Sequence, residues 1–108
     1  MEEIIAPVNK TILKRELTPS RKLRNTNRSN NEIYVLTAHE APNVMNEIGR
    51  LREIAFRTAG GGSGMSMDID EYDTMERPYH QLIVWNPEEK EIIGGYRRYA
   101  QKELGKDY

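Results

Sequence analysis

The chain has 108 residues, of which 37% are apolar and 31% charged, and its net charge is −1 at pH 7. This length supports one domain with a modest core, and the small net charge excludes a field that would draw the whole protein to nucleic acid. The absence of cysteine excludes disulfides, thiolate nucleophiles and cysteine-based zinc sites. It also fits a cytoplasmic protein, so we expect a cytoplasmic location.

Residues 1–31 are predicted to form a basic, largely irregular N-terminal arm. Seven basic residues and one acid lie within residues 10–28. Residues 18–31 are nearly all polar, which is typical of a loop or a disordered segment. One short strand is predicted at residues 11–13. The basic charge indicates either a solvated tail or a surface that contacts anionic headgroups at a membrane.

A strand followed by a helix is predicted after the arm. Residues 32–38, EIYVLTA, are apolar and rich in strand-forming side chains. A helix is predicted at residues 41–59, because apolar residues recur there on one face, Pro42 suits the first turn and a glycine run follows. Thr37 and Glu40 have the spacing of a capping box.

The C-terminal part is predicted to contain a long loop and a β-hairpin. Residues 60–79 carry few regular signals, and loops of this length are usually functional or mobile. Strands are predicted at residues 80–86 and 91–100, joined by turn-forming residues. Gly94 and Gly95 indicate a bulge or a close approach by another backbone.

These elements predict an α+β fold, with a mostly antiparallel sheet and one main helix. A single helix covers only one face of such a sheet, so the other face needs another helix or another chain. An uncovered sheet therefore favours self-association, and a homo-oligomer is expected on this ground.

Several familiar site types are excluded by their spacing. The run GGGSG lacks the Gly-Lys-Ser/Thr of a P-loop and is interpreted as a helix stop followed by a hinge. The acidic segment 68–76 is not a calcium loop, because Asp73 and Tyr79 stand where that loop needs glycine and glutamate. His39 and His80 have no partners at metal-ligand spacing, so no metal site is predicted.

The charged residues of the predicted helix, loop and last strand suggest one cluster. Arg97 and Arg98 are neighbours on a strand, so one of them points to the core side and needs a carboxylate partner. Asp70 and Asp73 are the candidates, and Arg52 has the same need if it lies at the buried edge of the helix. The residues alone leave open whether this is a structural ion network or a site where carboxylates bind a substrate ammonium or accept its proton.

The elements Arg52-x-x-x-Phe56, Asp70-x-x-Asp73 and Gly94-Gly-Tyr-Arg97 occur in this order. Their order and spacing resemble one branch of the GNAT acyltransferase superfamily, which contains the N-acyltransferases of ornithine and glycine lipid synthesis and the acyl-homoserine lactone synthases. The lipid-forming group is the better match, because glycines stand where lactone synthases carry an aromatic residue.

Genomes often label members of the lipid-forming group as hemolysins. Membrane lysis is not expected here, because the helix at residues 41–59 has mixed charges and little apolar surface.

The resemblance implies a partial GNAT-like fold and an N-acyltransferase. Such an enzyme would transfer a long-chain acyl group from the thioester of an acyl carrier protein to the amine of an amino acid, with no tightly bound cofactor. Carried over by motif position, the catalytic residues are Asp70, Asp73 and Arg97, and the substrate-binding residues are Arg52, Phe56 and Gly94.

The same resemblance implies a role for each of these residues. The two aspartates would orient or deprotonate the acceptor, and the two arginines would lock the acidic loop or bind a carboxylate. Phe56 would shape the acceptor or acyl pocket. Backbone N–H groups near a bulge in the strand of Gly94 would polarise the thioester.

The superfamily binds phosphopantetheine and pyrophosphate with elements that follow the Gly-Tyr-Arg strand, and nothing after Ala100 matches them. We therefore expect residues 32–108 to be the N-terminal part of an acyltransferase domain, inactive alone and peripheral to the inner face of the membrane at most. The alternative from another class is a non-catalytic module. It would bind a carrier protein or an anionic membrane through Arg21, Lys22 and Arg24.

Overall fold

The computed structural model of the chain describes residues 1–27 and 29–99. The elements in chain order are α1 (Lys10–Glu16), a 3-10 turn (Pro19–Arg21), β1 (Lys22–Asn25), β2 (Glu32–Leu36), α2 (Pro42–Thr58), α3 (Glu71–Thr74), β3 (His80–Asn86) and β4 (Glu91–Arg98). The four strands form one antiparallel sheet in the order β1-β2-β3-β4. The predicted α+β class, with an antiparallel sheet and one main helix, is confirmed.

The N-terminal arm is more regular than its composition predicts. The strand predicted at residues 11–13 is wrong, because these residues lie within α1. The loop predicted over residues 18–31 likewise contains the 3-10 turn and β1. Leu13 and Leu17, one helical turn apart, are both buried in the core. Two apolar side chains on one face are enough to dock a polar helix, since most helical stability in proteins comes from packing.

The predicted helix at residues 41–59 is confirmed as α2. Thr37 and Glu40 form the expected reciprocal pair, with each backbone N–H donating to the other side chain at 3.0 and 3.3 Å. They close the turn before the helix, however, because the N-cap residue of α2 is Ala41. The capping-box spacing therefore marked the entry to the helix and not its first turn.

Glu16, at the end of α1, caps the first turn of α2. Its carboxylate accepts hydrogen bonds from the backbone N–H groups of Asn43 at 3.2 Å and Val44 at 2.8 Å. A carboxylate is favoured at this place by the unpaired N–H groups and by the helix dipole. The single acid of the basic segment thus joins the two helices.

One face of the sheet is buried beneath the helices. The inward side chains of β2 and β3 alternate with outward ones, and α1 and α2 pack on the inward set. The opposite face is apolar but only partly buried, and carries Ile33, Val35, Leu82 and Val84.

Within residues 1–27 and 29–99, no helix is long and apolar enough to cross a membrane.

The hairpin of β3 and β4 contains both a β-bulge and a close backbone approach, the two features that Gly94 and Gly95 indicated. The pairing of the strands skips Ile93, which is the extra residue of a β-bulge. A Cβ atom on Gly95 would lie 2.5 Å from the carbonyl oxygen of Leu82, whereas one on Gly94 would meet nothing within 4 Å. The strand predicted to reach Ala100 extends to Arg98 in the structure, and Ala100 lies outside the described residues.

Candidate active site

The segment that leads from α2 to α3 lies against one side of α2. Gly49 marks the closest approach, because a Cβ atom there would lie 2.6 Å from Cγ1 of Ile69. The backbone N–H of Asp68 donates to the carbonyl oxygen of Gly49 at 2.9 Å. The helix therefore fixes the backbone of the acidic segment just before Asp70 and Asp73.

One turn further along α2, Glu53 is fully buried and organises the glycine run. Its carboxylate accepts hydrogen bonds from the hydroxyl of Ser63 at 2.7 Å, the backbone N–H groups of Ser63 and Gly64 at 3.0 Å each, and Nε of Arg57 at 2.6 Å. The bond from the Ser63 hydroxyl, followed by that from Arg57, lowers the pKa of Glu53 to about 2. The glycine run does end the helix, and it then folds around a buried carboxylate.

The predicted charged cluster exists, and Asp73 is its centre. This side chain is fully buried. Its Oδ2 accepts from Nη1 of Arg52 and from the backbone N–H of Asp70, both at 3.1 Å. Its Oδ1 accepts from Nε2 of Gln81 at 2.8 Å and from Nη1 of Arg97 at 3.1 Å. Both oxygens are therefore saturated, and one carboxylate ties α2, α3, β3 and β4 together.

Gln81 is the member of this cluster that the sequence analysis missed. It is 1% exposed, and its Oε1 accepts from Nη2 of Arg52 at 2.7 Å. The sequence did contain a signal for it, because side chains alternate between the two faces of β3 and Gln81 therefore shares a face with the buried Ile83 and Trp85. A polar side chain on an inward face needs buried hydrogen-bond partners and so indicates a polar network.

Arg97 joins the buried cluster to the surface. Its Nη1 donates to Oδ1 of Asp70 at 2.7 Å as well as to Asp73, and its guanidinium carbon lies 5.8 and 5.2 Å from the ring centroids of Tyr72 and Tyr79. These bonds, the one to Asp70 first, raise the pKa of Arg97, and the bond from Arg97 lowers the pKa of Asp70. Nε and Nη2 of Arg97 have no hydrogen-bond acceptor within residues 1–27 and 29–99.

A polar cleft of about 200 Å³ opens beside this cluster. It is lined by Arg52, Phe56, Asp68, Asp70, Tyr96 and Arg97. Four of the six predicted site residues therefore meet here, while Asp73 lies buried behind them. Phe56 is 50% exposed and stands at the edge of the cleft.

Gly94, the sixth predicted residue, lines a second cleft. This apolar cleft of about 320 Å³ lies between α2 and β4, and its walls include Ile48, Leu51 and Ile92. Arg52 and Tyr96 line both clefts, so the apolar cleft begins where the polar one ends.

The residues of the charged cluster lie within or close to a segment that matches a known family. The chain matches the Acetyltransferase (GNAT) domain family over residues 51–107, which is more than half of its length. The chain belongs to this GNAT family. The family assignment based on the spaced arginines, aspartates and glycine is therefore confirmed.

Two relatives of this chain are each called glycine N(alpha)-acyltransferase. The one from Bacteroides thetaiotaomicron is 74% identical over 97 residues, and the one from Phocaeicola vulgatus is 70% identical over 104 residues. These matches cover 90% and 96% of this chain but 29% and 32% of the relatives. The chain thus spans about a third of the length of the curated relatives it matches. No solved structure matches the chain.

Proposed function

We propose that this chain forms the acceptor side of an N-acyltransferase, which transfers an acyl group from a thioester to the amine of an amino acid. Membership of the GNAT family and the name of the two relatives support this class of reaction, and that name makes glycine the first acceptor to test. The observation that carries the proposal is the polar cleft itself. Asp70 and Arg97 face it from a buried, fully bonded anchor at Asp73.

The chemistry is a direct transfer between two substrates. The neutral amine attacks the thioester carbonyl carbon, a C–N bond forms, the C–S bond breaks and the thiol leaves. No covalent enzyme intermediate is needed, which suits a chain without cysteine. The protein must then hold the amine, accept its proton and stabilise the oxyanion of the intermediate.

The contacts suggest how the predicted residues divide this work. Asp73 is buried with both oxygens occupied, so we assign it, with Arg52, to positioning the cleft wall. Asp70 has a side chain that is 47% exposed and stands at the cleft, where it can meet the acceptor. Arg97 can bind the acceptor carboxylate through the N–H groups that it does not use within the described residues.

The apolar cleft is assigned to the acyl donor. A long acyl chain from acyl carrier protein, as in amino-acid lipid synthesis, would lie between α2 and β4, where Gly94 leaves open space. Phe56 lines only the polar cleft, so we assign it to shaping the acceptor pocket. The bulge at Ile93 interrupts the strand pairing, and we assign the backbone N–H groups around it to polarising the thioester carbonyl.

Transfer can be tested with a chimera in which this chain replaces the matching segment of the Phocaeicola vulgatus relative. We expect the chimera to move a long-chain acyl group from acyl carrier protein to glycine, and the 108-residue chain alone to be inactive. The unmodified relative serves as the positive control. A folded chimera that acylates no amino acid would overturn the proposed function, and rapid turnover by the chain alone would overturn its inactivity.

The binding-module alternative has weaker support from the structure. Nζ of Lys10 lies 3.6 Å from the carboxylate of Glu91, and Nζ of Lys22 lies 3.3 Å from that of Glu32. Nη1 of Arg21 donates to a carbonyl oxygen at the end of α1. These basic groups are thus engaged within the fold. Contacts with a carrier protein, an anionic membrane or a second copy through the open sheet face remain separate proposals.

A further inference from the structure

We propose that Asp68 is the carboxylate that binds the ammonium group of the acceptor and then accepts a proton from the attacking nitrogen during transfer. This inference rests on the proposed function and adds a residue that the motifs did not include. Asp68 lines the polar cleft together with Arg97 and Phe56, and the residue is partly buried.

Asp68 differs from Asp70 and Asp73 because neither of its carboxylate oxygens is bonded within the described residues, whereas Asp70 has one bonded oxygen and Asp73 has two. Asp73 has both oxygens occupied, and Oδ1 of Asp70 accepts from Arg97 and from the backbone N–H of Tyr72 at 3.0 Å. The carboxylate of Asp68 accepts no hydrogen bond from residues 1–27 or 29–99. A carboxylate without such a partner, on a partly buried residue that lines a cleft, is well suited to bind a donor supplied by a ligand.

The backbone of Asp68 is held although its side chain is unbonded. Its N–H donates to the carbonyl oxygen of Gly49 at 2.9 Å, and its carbonyl oxygen accepts from Nη1 of Arg52 at 3.5 Å. The close contact between Gly49 and Ile69 fixes the next residue as well. The backbone of Asp68 is therefore held against α2, and this fixed position is what a substrate-binding carboxylate requires.

The cleft offers one charged group for each end of an amino-acid zwitterion. The charges of Arg52 and Arg97 are balanced by those of Asp70 and Asp73, with which they are bonded. Asp68 adds one negative group, and Arg97 retains unused N–H donors. An acceptor can thus place its ammonium on Asp68 and its carboxylate on Arg97, with charge-assisted hydrogen bonds at both ends.

Proton transfer at this site balances without a further reactant. The ammonium first loses one proton to solvent, and the neutral amine then forms the C–N bond. The nitrogen, now positively charged, gives a second proton to the carboxylate of Asp68 as the C–S bond breaks. Asp68 passes that proton to the departing thiolate, so the products are an amide and a thiol and the carboxylate is restored.

The test is steady-state transfer to glycine by the chimera carrying Asp68→Asn. We expect kcat/KM for glycine to fall by about 100-fold or more, with a raised KM for glycine and an unchanged KM for the acyl donor. Glu71→Gln is the matched control, since Glu71 is an exposed acid of the same segment that does not line the cleft. It is expected to leave all three constants at the values of the unmodified chimera. Asp68→Glu, which keeps the carboxylate, should restore part of the activity.

The outcomes separate this inference from the function on which it rests. Normal kcat/KM in Asp68→Asn would overturn the role of Asp68 and leave the acyltransferase standing. An unmodified chimera that transfers to no amine would overturn both. If Asp68→Asn lowers the thermal midpoint, the comparison with Asp68→Glu decides, because two equally inactive and equally destabilised variants would assign Asp68 to the fold and contradict the proposal.

Discussion

Two fully buried carboxylates bond to side chains of α2, Glu53 from within that helix and Asp73 from α3, and they differ in where their partners lead. Glu53 accepts hydrogen bonds from Arg57, Ser63 and Gly64, which all follow it closely in the sequence. Asp73 binds side chains from α2, β3 and β4, at positions far apart in sequence. The Glu53 cluster is closed, whereas the Asp73 cluster continues through Arg97 to the half-exposed Asp70.

A buried carboxylate must be saturated with donors wherever it lies, so burial and ion pairing do not by themselves mark an active site. The distinguishing feature is a chain of charged side chains that runs from a rigid anchor to an open cleft. On this account the Glu53 cluster shapes the loop. The Asp73 cluster positions groups that meet the substrate.

The largest effect on stability is expected for Asp73→Asn. This change leaves Arg52 and Arg97 without their buried partner, and breaking such a pair typically costs about 3–5 kcal/mol. Urea unfolding of the chain at neutral pH measures the loss. A decrease below about 1 kcal/mol, the range of an exposed pair, would show that Asp73 does not anchor the cluster.

A smaller, pH-dependent effect is expected for Glu53→Gln. The folded-state pKa of Glu53 is about 2 against an ordinary value of 4.5, so the unfolded chain binds its proton first as the pH falls. The stability that Glu53 contributes is thus present above about pH 4.5 and is lost as the pH falls toward 2. Thermal midpoints across this range should fall less steeply in Glu53→Gln than in wild type. The exposed Glu71→Gln should keep the wild-type slope, and an equal slope in both variants would contradict the assignment.

The smallest effect is expected in the glycine run. Gly62 and Gly64 both have positive φ, but only at Gly62 would a Cβ atom lie 2.8 Å from the Glu53 carboxylate. Alanine therefore strains the backbone at either position, and the Gly62→Ala variant carries an added clash. We expect it to be less stable than Gly64→Ala by about 1 kcal/mol, as measured by urea unfolding. Equal stabilities would mean that the loop does not close tightly on Glu53.

The regular elements were predictable because apolar periodicity and turn residues define them locally. α2 and β3 follow from these signals, and the cluster of Arg52, Asp73 and Arg97 follows from the need of a buried arginine for an acid. α1 was not predicted, because Leu13 and Leu17 are the apolar side chains that it and its C-cap bury in the core, and two such residues give too weak a periodic signal.

The separate roles of the three aspartates in the acidic segment could not be predicted. Asp68, Asp70 and Asp73 look alike in sequence, and only the three-dimensional fold determines which oxygens are occupied. Glu53 was missed because most of its partners, Ser63 and Gly64, come from a glycine run that carries no periodic signal, although Arg57 stands at i,i+4 on the same helix.

The most direct test compares one arginine from each cluster, as Arg97→Ala and Arg57→Ala in the chimera. Each change removes one guanidinium from a buried carboxylate, so both variants should unfold at a lower temperature. We expect Arg97→Ala also to lower kcat/KM for glycine, by about 100-fold, while Arg57→Ala retains the value of the unmodified chimera at a temperature where both variants are folded. Equal kcat/KM values in the two variants would contradict the claim that the Asp73 cluster forms the acceptor site.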